Sequence, residues 1–265
     1  MAPPGSSRSV SLKSAITLLE HIQSFFLVSI HSLLHARALY PPTTFLTTRA
    51  FNLAVHQSRH PRVCSWVKDT VSSVCSQLAT GTVHKAVFAI ISQPSEEKGV
   101  RDTKVIERWV FDFSAFPVLP EDSWKETGNA STEFEEGEAT AEIRHEEEAE
   151  EGRGIDEGDP KDDINWVDVA ESLRGGLKRL QVAAETMDPI PEGCTFTVAL
   201  ELKEESPAPI GHPQPWIPTD PKHTPTLKNT IESGLQMKPI RSVGAGPLFF
   251  EIYMEEDRSS LAETE

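Results

Sequence analysis

The sequence predicts an α+β domain in which three helices pack on an antiparallel sheet. Three observations lead there. Apolar residues recur at helical spacing in three separate stretches. Strand-like runs follow one another in pairs rather than alternating singly with helices. A long proline-rich stretch without periodicity, Glu204 to Pro225, separates two late strands, and a connection of that length inside a compact domain is more often functional than idle.

Residues 1–13 are small and polar with prolines, and are expected to be disordered. The first helix is expected from Ser14 to about Leu39. Ile16, Leu19, Phe26, Ile30 and Leu33 mark one face, and Phe25, Leu27 and Val28 carry apolar character around the others. A helix apolar all round is an enclosed one. Its densest run, Ile22 to Leu34, is too short for a bilayer span and contains Gln23, Ser24, Ser29, His31 and Ser32. Tyr40-Pro41-Pro42 stops it, because proline disfavours helix in the residue before it. Phe45 to Val55 reads as an irregular strand or hairpin arm.

His60-Pro61 opens a second helix, with proline suited to its first turn. Val63, Val67, Val71, Val74 and Leu78 share a face, and Gly81 ends it. Val83–Ile91 and Lys104–Phe113 follow as a hairpin. A third helix is expected from Asp163 as N-cap, with a stripe of Trp166, Val169, Ala170, Leu173, Leu177 and Leu180. Gly175 and Gly176 interrupt it, each costing a helix about 1 kcal/mol relative to alanine. Thr195–Leu202 alternates cleanly. Strand patterns return at Ile231–Ile240 and Leu248–Met254, before an acidic tail, 257–265.

The net charge of −16 is concentrated. Residues 121–163 hold 18 of the 41 acidic side chains and 4 of the 25 basic ones, a local charge of −14, leaving −2 for everything else. Such a segment cannot bury enough surface to offset its ordering entropy, so 121–162 is expected to be a disordered insertion. The remainder is nearly neutral and offers no basic face for phosphates, which argues against direct nucleic-acid binding. Cys64, Cys75 and Cys194 form no CxxC pair and fit a reducing, intracellular compartment.

Catalytic patterns are missing. There is no GxxxxGK[ST], GxGxxG or GxSxG in the chain. His31 and His35 lie four apart on the first helix without the glutamate of HExxH, and read as ordinary helix histidines. Cys194 reads as a packed thiol. No catalytic residue, metal site or cofactor is assigned. The features that suggest binding are Trp216, alone in the proline-rich loop, and Trp66 on the second helix, for which core packing and interface anchoring are equally open. Tryptophan anchors interfaces through a large rigid surface with one donor.

Tyr40-Pro41, His60-Pro61, Trp66-Val67-Lys68-Asp69-Thr70, Gly193-Cys194-Thr195-Phe196-Thr197-Val198, Pro215-Trp216-Ile217 and Ile252-Tyr253-Met254-Glu255-Glu256 occur in an order that resembles the HORMA family. Within it they are similar to the accessory subunits of translesion DNA polymerase zeta, the mitotic-arrest-deficient-like B type. The resemblance covers about 14–120 and 163–256. It implies a HORMA fold with a mobile C-terminal safety belt, about 204–256, that wraps an extended partner peptide and docks on the sheet. It implies a non-enzymatic adaptor working in the nucleus, in DNA repair and damage tolerance. The trapped peptide would come from the polymerase zeta catalytic subunit and contact Tyr40, Trp66, Phe196 and Trp216. A second surface at Glu251 and Tyr253 would receive the C-terminal domain of the translesion scaffold transferase, although Glu251 stands where relatives carry an amide. Arg174 matches an arginine at the family's homodimer interface. No direct contact with nucleic acid or membrane is implied. A spindle-checkpoint or meiotic HORMA adaptor is the alternative, and a hydrolase built on His31, His35 and the acidic residues is the reading from another class.

Overall fold

A computed structural model of the chain describes residues 10–93, 104–120, 123, 164–204, 206, 217 and 235–257. Residues 1–9 of the expected N-terminal disorder, nearly all of the acidic insertion, most of the proline-rich loop and residues 258–265 of the tail lie outside these residues, whereas 10–13 and 257, expected in the disordered ends, are described, with 12–13 in a helix and 257 in a strand.

Helix α1 runs Leu12–Ala36, two residues ahead of the expected start, because the Ser11 hydroxyl caps it by accepting the Ser14 N–H at 3.3 Å. Val10, before the cap, is already buried. By length and composition α1 could cross a bilayer. Its apolarity has another cause: fourteen of its 25 residues are buried in the protein. Phe25 is the hub, with Phe26, Phe51, Phe111 and Phe250 arranged edge-on around it at 5.6–6.4 Å between ring centres.

The expected irregular arm is a hairpin of two strands, β1 (Phe45–Ala50) and β2 (Leu53–Ser58), paired antiparallel. Phe51 and Asn52 both take positive φ (49° and 55°), the geometry of a two-residue turn whose twist matches its strands. Phe51 earns this uncommon backbone by burying its ring against Phe25. Helix α2 spans Pro61–Ala79, and Gly81 turns the chain at φ 72° into β3 (Val83–Ile91). Strand β4 is Val105–Asp112.

Helix α3 spans Trp166–Glu185. Its cap is Asn165, not Asp163: the Asn165 side-chain oxygen accepts the Val167 and Asp168 N–H groups. Strand β5 is Thr195–Leu202 and β7 is Leu248–Asp257. Strand β6, expected over Ile231–Ile240, runs Leu235–Ala245. The alternating pattern was blurred there by Pro239, beside which the β6–β7 register shifts.

The sheet has the order β5-β3-β4-β7-β6, antiparallel throughout. One face carries Phe88, Ile90, Trp109, Phe111, Phe250 and Ile252 into the main core with the helices. The other presents a small cluster of Val87, Ala89 and Val110, with Val105, Ala199 and Tyr253 against it. The two α3 glycines make a close approach rather than a weak point. A Cβ on Gly176 would lie 2.8 Å from Val243 Cγ2, so only glycine lets α3 sit this near β6.

Arg37, 4% exposed just past α1, ties three elements together. It meets Glu107 of β4 through two hydrogen bonds, 2.6 and 3.1 Å, and donates to the carbonyls of Ala184, Met187 and Asp188 at the end of α3. Glu107 also accepts the Trp109 indole N–H at 3.1 Å. Both charges are thereby fully engaged, which a buried pair requires. Arg37 also supplies the cation that the last turn of α3 lacks.

Candidate functional site

Strand β5 lies at one edge of the sheet. Its inner edge pairs with β3 from Val83↔Leu202 to Ile91↔Thr195, and no described strand pairs with its outer edge. An edge strand exposes a row of N–H and C=O groups that another strand can complete. Beside this edge the fold gathers aromatic rings from three elements and from the turn after α1. Phe196 of β5 stacks on Phe88 of β3 at 5.4 Å and 20°. Trp66 of α2 meets Phe196 edge-on at 5.1 Å and 89°, and Tyr40, just beyond α1, does so at 6.2 Å and 77°.

Each ring arrives for a local reason. Tyr40 is delivered by the proline-terminated end of α1, where Ala38 turns with φ 51°. Trp66 lies one turn into α2, which Pro61 starts. Phe196 is set by the β3–β5 register, which pairs it with Ile90. Tyr40, Trp66 and Phe196 are all half-buried, each packed on the core on one side and open on the other. Trp66 therefore packs on the core while leaving part of its surface open. Trp216 is outside the described residues, and its neighbour Ile217 is 83% exposed. Phe88 was not anticipated as a member. It sits in an uninterrupted apolar run, where periodicity cannot tell one face of a strand from the other.

Glu251 and Tyr253 lie on the helix-free face. Glu251 is exposed and accepts the Ser242 hydroxyl at 3.1 Å. Tyr253 is half-buried against the Val87, Ala89 and Val110 cluster, and burial pushes its phenol pKa up despite the Lys85 ammonium that hydrogen-bonds it. A second feature of this face was not foreseen. Arg108 of β4 donates to Glu255 of β7 at 2.5 Å and to Glu201 of β5 at 2.6 Å, and Lys85 stands 3.5 Å from Glu201. Arg174 lies on α3, away from both places, and pairs with Glu171 one turn back.

The histidines of the hydrolase reading have other surroundings. His31 is 2% exposed and burial lowers its pKa to about 4. Its Nδ1 faces the Ser58 N–H at 3.5 Å. His35 stacks on His56 with ring centres 3.5 Å apart, nearly parallel. The Cys194 thiol pKa is raised by burial and by Glu107, the wrong direction for a nucleophile.

With helices on one face, a hairpin added beside β4 and an open edge at β5, the geometry can hold an extended peptide. Residues 19–239 match the HORMA domain. The chain belongs to the HORMA domain family. This HORMA chain is 27% identical to the DNA polymerase zeta processivity subunit of Schizosaccharomyces pombe, over 89% of this chain and 91% of that one. It is 23% identical to the mitotic spindle assembly checkpoint protein MAD2B of Bos taurus, over 88% and 87%. Among solved structures it superposes on a chain of the Mitotic Checkpoint Complex with a TM-score of 0.57 at 16% identity, covering 91% of this chain and 95% of that one. It superposes on C. elegans HTP-2 bound to the HIM-3 closure motif with a TM-score of 0.53 at 14% identity, covering 97% and 99%. These likenesses establish the HORMA fold of the chain.

Proposed function

We propose that this HORMA protein is a non-catalytic adaptor subunit of a DNA polymerase zeta, acting in translesion synthesis and damage tolerance in the nucleus. The observation that carries the reading is the aromatic trio Tyr40, Trp66 and Phe196 beside the unpaired outer edge of β5. An extended segment of the polymerase's catalytic subunit adds to β5 as a further strand. Its backbone completes the ladder, and every second side chain reaches the rings. The chain from Leu202 to Leu235 connects the two edges of the sheet, since β5 is at one and β6 at the other. With the β6–β7 hairpin docked on β4, this connection and the hairpin together, about 204–256, are the safety belt, and Trp216 is counted with Tyr40, Trp66 and Phe196 among the proposed peptide contacts. Glu251 and Tyr253 receive the C-terminal domain of the scaffold transferase, and Arg174 serves a HORMA–HORMA contact. The similarity to the fission-yeast processivity subunit over nine-tenths of both chains supports this reading.

The test is a set of overlapping peptides from the cognate catalytic subunit, measured by fluorescence anisotropy against the full chain. One short segment is expected to bind. Trp66→Ala and Phe196→Ala are each expected to weaken it by about 2 kcal/mol, roughly thirtyfold. No binding by any segment, or binding instead by peptides of checkpoint or chromosome-axis proteins, overturns the assignment to polymerase zeta. The second of these results moves the protein to the checkpoint or meiotic class.

A further inference from the structure

The helix-free face of the sheet carries a cross-tie that the strand ladders do not require. In the order β5-β3-β4-β7-β6, the edge strand β5 and the hairpin strand β7 never touch through backbone. They are two strands apart. Arg108 spans that gap with one guanidinium. Its Nη1 donates to Glu255 of β7 at 2.5 Å and its Nη2 to Glu201 of β5 at 2.6 Å. The side chains of Arg108 and Glu255 are 11% and 8% exposed, and that of Glu201 is 27% exposed. The pairs are thus screened less than surface ones. Lys85 leans on Glu201 from β3 but reaches it only at 3.5 Å, and its ammonium also serves Tyr253. Arg108 alone among these cations holds carboxylates of both strands.

We infer that Arg108 is a positioning residue for peptide retention, coupling the closed state of the β6–β7 hairpin to the strand that receives the peptide. The inference rests on the peptide-capture reading above. A peptide paired to the outer edge of β5 leaves only after the hairpin has left β4. Arg108 sits on the strand the hairpin leaves, with one hand on each side. A peptide on β5 removes water from around Glu201, which strengthens its pair with Arg108 and therefore holds the guanidinium in the pose that Glu255 also needs. A guanidinium offers two separate Nη donor groups in a fixed planar fork, one to each carboxylate, whereas a lysine ammonium presents its donors from a single nitrogen without that fork.

The experiment uses the full chain and the peptide selected from the overlapping set. Peptide release after dilution into unlabelled competitor is followed for wild type, Arg108→Lys, Glu255→Gln and Glu201→Gln, with amide hydrogen exchange of β7 measured on the peptide-free proteins. Arg108→Lys keeps the charge and is expected to fold. Release is expected to quicken about tenfold in all three variants, the scale of one charge-assisted hydrogen bond, with association changed much less. Arg108→Lys combined with Glu201→Gln is expected to be no faster than either alone, because both cut the same tie. Faster exchange in β7 of Arg108→Lys with unchanged peptide release overturns the inference, since the pair then serves stability only. Normal retention in Glu201→Gln with fast release in Glu255→Gln also overturns it, because β5 is then not coupled. If wild type retains no peptide, the capture reading itself fails and the role of Arg108 falls with it.

Discussion

His31 shows how one residue in the core sets a pH limit on the whole chain. It is enclosed on α1, and desolvation holds its imidazole neutral down to about pH 4, against an ordinary value of 6.5. The folded pKa is thus depressed below the unfolded one, so the unfolded chain binds the extra proton between the two values. The contribution is fully present above about pH 6.5 and is lost as pH falls toward 4, by up to about 3 kcal/mol. Urea midpoints from pH 7 to 4.5 should fall more steeply in wild type than in His31→Gln; parallel curves would show that His31 protonates freely. This histidine was visible in the sequence only as one of a pair spaced four apart. Its partner His35 faces His56 from a hairpin whose register no local pattern announces. The four aromatic residues of the candidate site divide in the same way. Tyr40, Trp66 and Phe196 stood out through motifs, whereas Phe88, which stacks under them, was hidden in a run of apolar neighbours.

Among the elements, α3 gives the sharpest contrast between local propensity and packing. Both of its glycines weaken an isolated helix equally. In the fold they differ. A Cβ on Gly175 would meet the guanidinium of Arg241, the movable end of an exposed side chain, at 2.9 Å, whereas one on Gly176 would strike Val243 and then Ile252 of the hairpin. Gly175→Ala should therefore be neutral or stabilising by up to about 1 kcal/mol. Gly176→Ala should destabilise by about 1–3 kcal/mol, because the hairpin must shift or the core overpack. Urea midpoints of the two variants check this, and equal shifts would refute the close α3–β6 contact. The helices and the strands β3, β4 and β5 were readable to within a residue or two at nearly every boundary, because each carries its own period. The cap at Asn165 and the extent of β6 were misplaced for the opposite reason. Each depends on which of several suitable residues the tertiary contacts select. Arg37 was invisible for the same cause: nothing near it in sequence tells that Glu107 and the end of α3 converge on it.

On the scale of the whole molecule, charge and structure are separated. The described domain rests on a single main core, while the acidic run between β4 and α3 holds most of the net charge. Deleting 121–162 removes 17 acidic and 4 basic residues and takes the formal charge from −16 to −3. Stability is expected to change by less than about 1 kcal/mol, since loop-closure entropy varies slowly with length. Capture of the selected peptide should survive the deletion, and loss of either property would give the insertion a structural or recognition role.

The pairing of β4 with β7 also has a consequence for how the protein is made. Arg108 lies opposite Glu255 across 147 positions of chain, whereas β3 and β4 pair through a short connection. Local pairings form early in folding and distant ones wait for their loops to close. Synthesis runs in the same direction, since residues 235–257 leave the ribosome after α1, α2, α3 and β5. A nascent chain therefore displays the outer edge of β5 before the hairpin that docks on β4 exists. Under the proposed capture mechanism, a partner segment present at that moment would load without any opening step, while one arriving later would wait for a finished molecule to come partly undone. Assembly during translation and assembly between finished subunits would then differ in rate while ending in the same complex.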